Sequence, residues 1–153
     1  MFSILHEKRA EASFKVDYPK LSIAADSHNI ESMLKGTGVE YNVVADGYIT
    51  FCGCVFDCDI PLMIGIHFKS HKVEFIEIFR TLEYYQSEKY DINASFDELS
   101  NILKKKYGNP VVLTTASTNG YPYEQWMTPN YIVNHYVIDR FGLEEHLHVN
   151  FHK

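Results

Sequence analysis

The chain has 153 residues, of which 14 are lysine or arginine and 20 are aspartate or glutamate, so its formal net charge is −6 with histidine neutral. This length predicts a single domain over residues 1–153, and 46% apolar with 22% charged residues excludes a disordered chain or a coiled coil. The acidic balance disfavours binding to nucleic acid, because polyphosphate attracts surplus lysine and arginine.

The N-terminal sequence and the cysteines predict the compartment. Charged residues follow the first apolar residues almost at once, which is unlike a secretory signal. The longest apolar stretch covers residues 60–68, whereas a transmembrane helix needs roughly 20 apolar residues. We therefore expect a cytoplasmic protein without membrane association, whose thiols at Cys52, Cys54 and Cys58 are reduced.

The first half of the chain predicts a short helix followed by three strands. The helix follows a cap at Asp26 or Ser27, has apolar residues at helical spacing and ends at Gly36. Alternating apolar residues then predict strands over residues 48–56, 60–68 and 73–79. The last of these strands has apolar residues on both faces, which indicates a central strand or an interface.

The second half begins with the strongest helical pattern in the chain. Ser95 and Glu98 match a capping box, and an apolar face at helical spacing runs from Phe96 to Tyr107. Gly108 ends this helix. Strands are predicted after it over residues 111–115, 123–127, 131–139 and 145–151.

This order of elements predicts an α+β fold. We expect an antiparallel sheet of about six to seven strands with two helices packed on it, because strands joined by hairpins pair with their neighbours in sequence. One helix in each half of the chain is compatible with a quasi-repeated α-β-β-β layout.

The C-terminal strand has a row of histidines. Because side chains alternate along a strand, His146, His148 and His152 share one face, and the intervening apolar residues face the core. Such imidazoles can share a zinc or copper ion, and His135 on the preceding strand could add a ligand. The alternative is a solvated polar face. No zinc motif of fixed spacing is matched, so we assign no metal or cofactor.

The three cysteines form a second candidate cluster with His67. They could bind zinc, or Cys52 or Cys54 could be a nucleophile with His67 as its base. Zinc motifs usually have two paired ligand sets and only one is present here, while free cysteine is commonly a small buried apolar residue. Motifs for nucleotide binding, a nucleophile elbow or a metalloprotease are absent, so we expect a binding protein before an enzyme.

Acidic segments and many aromatic residues predict a surface that binds a cationic protein. No lysine or arginine occurs between Lys35 and Lys69, and aromatic residues make up 14% of the chain. Tyrosine and tryptophan often anchor protein interfaces, and acidic groups steer cationic partners. The alternative is that these residues only solubilise the surface and cover sheet edges. The residues expected to bind the partner are Glu40, Asp46, Asp57, Asp59, Glu83, Tyr84, Tyr85, Glu88 and Trp126.

One segment resembles a known class of proteins. Residues 96–110 form a helix that ends in Tyr107-Gly108-Asn109-Pro110, and antiparallel strands are predicted after it. This pattern resembles small bacterial α+β domains, among them immunity proteins of contact-dependent or polymorphic toxin systems. The resemblance implies a small acidic bacterial protein that inhibits a toxin domain by covering its active site, and the acidic aromatic surface suits a basic toxin or nuclease. We expect a monomer, or a dimer if the two-sided strand over residues 73–79 forms an interface.

Overall fold

The computed structural model describes residues 13–44, 47–114 and 120–152. The α+β prediction is confirmed, with more strands and one more helix in this part of the chain than we expected. The elements are β1 (Phe14–Tyr18), β2 (Leu21–Ile23), α1 (Ile30–Thr37), β3 (Tyr41–Val43), β4 (Ile49–Val55), β5 (Leu62–Lys69), β6 (Lys72–Phe79), α2 (Leu82–Gln86), α3 (Ile92–Tyr107), β7 (Val112–Thr114), β8 (Tyr123–Met127), β9 (Tyr131–Asp139) and β10 (Leu143–Phe151). Within these ranges, no helix has the length and apolar character needed to cross a bilayer.

The ten strands form an open sheet in the order β2-β1-β4-β5-β6-β10-β9-β8-β7, and β3 also pairs with β4. Every strand pairing among the described residues is antiparallel. Two meanders, β3–β6 and β7–β10, each follow a helix, and their last strands pair at the centre of the sheet. Each half of the quasi-repeat therefore has a helix followed by four strands. We predicted three strands per repeat, and the short strand β3 is the one that the sequence pattern missed in the first half.

The start of α3 differs from the prediction. Asp91 caps the helix, and its carboxylate accepts a hydrogen bond from the backbone N–H of Asn93 at 3.0 Å. The capping box at Ser95 is therefore wrong, because Ser95 lies one turn inside the helix. The C-terminal end is confirmed, since α3 stops at Tyr107 and Gly108 follows with a φ of 87°.

The two shorter helices also differ in detail from the sequence pattern. α1 ends at Thr37, and Gly38 forms its left-handed cap where we expected Gly36. α2 forms in a segment for which we predicted neither a helix nor a strand, and the hydroxyl of Thr81 accepts a hydrogen bond from the backbone N–H of Tyr84 at its start. α2 therefore adds a third helix.

The core lies on one face of the sheet, where the larger helices α1 and α3 contribute Ile30 and Leu103 to a single apolar cluster. Leu147 and Val149 of β10 are buried in it, which confirms the alternation predicted for that strand. On β6, the pairing register shifts next to Phe75. This shift places Val73 on the core face with Ile76 and Ile78. Alternation places Phe75 and Phe79 on the other face, so the central strand β6 has apolar residues on both faces of the sheet.

Trp126 belongs to this core, so its predicted role as a surface anchor is wrong. It lies on β8, where alternate residues point under α3, and it is 1% exposed. Its indole N–H donates a hydrogen bond to the carbonyl oxygen of Gly108 at 2.9 Å. The indole is therefore enclosed between the sheet and the end of α3 and is not available to a partner.

Candidate functional site

The acidic residues predicted to bind a partner lie in several parts of the fold. Glu40 is exposed between α1 and β3, and Asp57 and Asp59 are exposed between β4 and β5. Asp57 forms an ion pair with Lys106 of α3 at 2.6 Å. Asp46 lies outside the described residues. Partner binding by these four acids stays a prediction.

The remaining predicted residues lie on α2 and just after it. Glu83 and Glu88 are exposed there. The ring of Tyr84 packs edge to face on Tyr85 at 6.2 Å and on Tyr90 at 5.7 Å, and the last two rings are 5.2 Å apart. We call these three residues the tyrosine cluster. Its rings support one another, and Tyr85 and Tyr90 are still 40% and 37% exposed.

Arg80 attaches the tyrosine cluster to the rest of the fold. Its guanidinium carbon lies 4.2 Å from the centre of the Tyr84 ring, although the residue is only 3% exposed. Nη2 pairs with Glu98 of α3 at 2.7 Å, and Nε donates a hydrogen bond to the hydroxyl of Ser95 at 2.9 Å. The arginine is thus held in place by α3, and its guanidinium group packs on the ring of Tyr84.

A groove of about 280 Å³ lies beside the tyrosine cluster, where β6 ends and β10 begins. Aromatic and aliphatic side chains line it together with carboxylates. Its lining residues are Glu77, Phe79, Tyr85, Tyr90, Leu143, Glu144, Glu145 and His146. A concave surface of this composition suits a cationic side chain, which is attracted by carboxylates and by the faces of aromatic rings.

A buried ionic network lies on the core face of β8, β9 and β10. His135 is 0% exposed, and its Nδ1 lies 3.2 Å from a carboxylate oxygen of Glu124. Its Nε2 lies 2.6 Å from Glu145. Both carboxylates also accept hydrogen bonds from α3, since Ser95 donates to Glu145 at 2.5 Å and Ser100 donates to Glu124 at 2.7 Å. The network therefore joins α3 to the sheet.

The position of His135 excludes one of the alternatives considered from the sequence. His135 could have added a metal ligand beside the histidines of β10, but it faces the core while they face the other side of the sheet. Both of its ring nitrogens are already paired with carboxylates. Phe96 of α3 also stacks on the imidazole at 3.9 Å, which closes the site to solvent.

The network shifts the titration of both His135 and Glu124. Burial alone would lower the pKa of His135, but hydrogen bonds with Glu124 and Glu145 outweigh burial and raise the pKa above the ordinary 6.5. Burial alone would raise the pKa of Glu124, but hydrogen bonds from His135 and Ser100 hold it below the ordinary 4.5. Glu124 stabilises the fold fully above its ordinary pKa of 4.5, and this contribution is lost as pH falls through its lower folded pKa. His135 stabilises the fold fully below its ordinary pKa of 6.5, and this contribution is lost as pH rises through its higher folded pKa. Both contributions are therefore complete between pH 4.5 and 6.5.

We expect NMR titration of the histidine ring protons to give His135 a midpoint above 6.5. Glu145→Gln should lower this midpoint, because it removes one of the two carboxylates that stabilise the imidazolium. Glu77→Gln is the matched control, since Glu77 lies on the opposite face of the sheet, and it should leave the midpoint unchanged. A midpoint at or below 6.5 in the wild-type protein would contradict the paired arrangement.

The opposite face of the sheet carries a row of stacked rings. Tyr48 stacks on His67 at 4.2 Å, His67 stacks on Phe75 at 4.1 Å, and Phe75 lies 5.0 Å from His148. Gly65 makes room for this row, because a Cβ at that position would lie 2.5 Å from the hydroxyl oxygen of Tyr48. We call this surface the histidine face, formed by His67, Phe75, Glu77, Tyr136, His146 and His148.

Three side chains that could bind a metal meet on the histidine face. Glu77 lies directly opposite His148 in the register of β6 and β10. The ligand atoms of Glu77, His146 and His148 all lie within 4.8 Å of one another, and the described residues hold this one group of its kind. His152, which the sequence offered as a third histidine for such a site, instead places Nε2 3.0 Å from the carbonyl oxygen of Thr128. Glu77 is the third residue of this group. It stands between apolar residues of β6, and a charged residue in such a stretch is the sequence signal that we missed.

The cysteines contrast with this arrangement. Cys52 is exposed, Cys54 and Cys58 are half-buried, and all three are free thiols. Burial raises the pKa of both Cys54 and Cys58, whereas a nucleophilic cysteine needs a lowered pKa. His67 is engaged by Glu77 at 3.1 Å and by the rings of the stacked row. These observations favour the structural interpretation for Cys54 and Cys58, whereas Cys52 is an exposed thiol.

Comparisons of the chain with protein-family models, with curated proteins and with solved structures give no match. Function must therefore be inferred from the chemistry of the groove and of the two sheet faces. The groove beside the tyrosine cluster suits a cationic protein surface, and the histidine face suits a metal ion.

Proposed function

We propose that the protein is a non-enzymatic protein-binding module of the immunity or inhibitor type. It would cover the active site of a basic toxin or nuclease domain. The observation that supports this most strongly is the tyrosine cluster beside the acidic groove. Braced, exposed aromatic rings next to carboxylates are the composition that protein interfaces favour for anchoring a cationic partner.

The tyrosine cluster supplies the anchors of the proposed interface. Tyr85 and Tyr90 offer exposed ring surface, while Tyr84 is held by Arg80 beneath them. A tyrosine whose ring is already fixed loses little conformational freedom on binding, so more of its contact energy contributes to affinity. Burial raises the pKa of Tyr85 and Tyr90, which keeps both phenols neutral.

Negative charge would make binding selective for a cationic partner and would increase the rate of association. The chain has a net charge of −6, and Glu83 and Glu88 are exposed beside the tyrosine cluster. A nuclease active site binds a polyanion and is therefore rich in lysine and arginine. Acidic groups near the groove would accelerate its encounter with such a surface, and salt would screen this effect.

A pull-down from the source cells with N-terminally tagged protein tests the proposal. Such a tag leaves β10 and the groove beside it unmodified. We expect one stoichiometric basic protein, identified by mass spectrometry, that is released at high salt. The captured protein should be a toxin or nuclease that loses activity in the complex. An enzyme that stays fully active when bound would contradict the inhibitor mechanism.

We expect Tyr85→Ala to weaken binding of that partner by more than about 1 kcal/mol, which is roughly a fivefold loss of affinity. Tyr18→Ala is the matched control, because Tyr18 is 66% exposed on β1, far from β6 in the strand order. Calorimetry with the purified partner measures both variants. Equal affinities for Tyr85→Ala and the wild type would remove the tyrosine cluster from the interface.

A further inference from the structure

The histidine face brings metal ligands together from the two central strands of the sheet. β6 supplies Glu77, and β10 supplies His146 and His148, whose side chains point the same way because they are two residues apart. Backbone pairing fixes Glu77 opposite His148. The three ligand atoms lie within 4.8 Å of one another, so small side-chain movements bring them to one ion.

We propose that Glu77, His146 and His148 form a binding site for a divalent transition-metal ion, with zinc as the ion that tests it. Two imidazoles and one carboxylate are typical ligands of zinc, whereas calcium and magnesium prefer sites made of oxygen atoms. Three protein ligands leave a fourth coordination position for water or for another side chain. This site shares Glu77 and His146 with the groove beside the tyrosine cluster. It goes beyond the proposed protein-binding function and can be tested without a partner.

The unpaired nitrogen of His148 supports the proposal independently. His148 Nε2 is buried and has no hydrogen-bond partner among the described residues. A buried polar atom without a partner is unfavourable, and a metal ion bound through this nitrogen would supply the missing interaction. The ring is held between Phe75 at 5.0 Å and Tyr136 at 6.0 Å, so its orientation is set by packing before any ion binds.

Neighbouring residues hold the other two ligands. Nε2 of His146 lies 3.1 Å from a carboxylate oxygen of Glu144, and Tyr136 stacks on the same imidazole at 5.3 Å. Nε2 of His67 lies 3.1 Å from Glu77. Metal-binding histidines and carboxylates are commonly oriented by partners of this kind, which raises affinity because less freedom is lost on binding. Glu77 also supplies negative charge that balances the ion, whereas the charge of Glu144 is paired with Arg140 at 3.0 Å.

Titration calorimetry with zinc sulfate tests the site on full-length protein from which any histidine tag and bound metal have been removed. We expect one zinc ion per chain. His148→Ala and Glu77→Gln should each lower the affinity at least tenfold. His152→Gln is the matched control, because His152 lies just beyond the end of the same strand outside the site, and it should bind zinc like the wild type. Equal zinc affinity in wild type and His148→Ala would overturn the proposal.

Two further measurements separate this site from the thiols and from misfolding. A Cys52→Ser, Cys54→Ser and Cys58→Ser triple variant should keep its zinc affinity, and a loss there would assign the metal to the thiols. NMR of the wild-type protein tests the site without any substitution, so its result does not depend on whether a variant folds. Zinc should shift the ring nitrogens of His146 and His148 and leave those of His152 unchanged. Unshifted resonances of His146 and His148 at saturating zinc would also overturn the proposal.

Discussion

His135→Ala is expected to destabilise the protein by about 3–5 kcal/mol, because it leaves two buried carboxylates without the cation that lies between them. Glu124 and Glu145 are both nearly inaccessible to solvent. In the variant Glu145 would keep its hydrogen bond from Ser95, and Glu124 would keep its hydrogen bond from Ser100 and the ion pair with Lys104 at 3.7 Å. Urea unfolding near pH 6 measures the effect. The chain has a single tryptophan, the buried Trp126, whose fluorescence reports the transition.

The control for this variant is His28→Ala. His28 is exposed and its ring contacts only a backbone carbonyl among the described residues, so we expect a change within about 0.5 kcal/mol. If uncompensated charge causes the loss, His135→Ala combined with Glu145→Gln should be more stable than His135→Ala alone. A His135→Ala protein within about 1 kcal/mol of the wild type would show that the network contributes little.

Trp126→Ala is expected to cost about 3–5 kcal/mol, the usual range for deleting a large buried aromatic side chain. The variant leaves a cavity under α3 and removes the hydrogen bond that the carbonyl of Gly108 accepts. Trp126→Phe should lose less, because it keeps much of the packing. Since both variants remove the fluorophore, circular dichroism during urea unfolding is the appropriate measurement.

The same experiment distinguishes a core residue from a surface anchor. Tyr85→Ala is the control, because Tyr85 is 40% exposed and α2 has no buried residues, and we expect it to change stability by less than about 1 kcal/mol. An unchanged unfolding free energy for Trp126→Ala would contradict the buried position and restore Trp126 as a candidate for partner binding.

The sequence predicts the long elements because periodicity accumulates over many residues. The apolar face of α3 spans 16 residues, and β9 and β10 have nine residues each, so their patterns are clear. β3 has three residues and forms because β4 offers a pairing edge. α2 has five residues and buries none of them, so it has no amphipathic pattern to detect.

The candidate site is harder to predict, since it depends on which strands are neighbours. Alternation shows that His146 and His148 share a face, but only the β6–β10 pairing brings Glu77 to them. In the same way, Glu124 looks like a surface acid in a polar segment, and burial becomes evident only when His135 of β9 and Ser100 of α3 lie beside it. The local sequence pattern shows which side chains share a face of a strand, whereas the contacts between strands and helices depend on tertiary packing.

The central pairing of β6 with β10 bears on the order in which the sheet assembles. Each meander is continuous in sequence, whereas the β6–β10 contact joins residues 77 and 148. Loop-closure entropy opposes such a distant contact until both meanders have formed. A metal ion bound to residues of both strands would bind only the assembled sheet. Its binding free energy would therefore stabilise the complete sheet relative to states in which only one meander has formed.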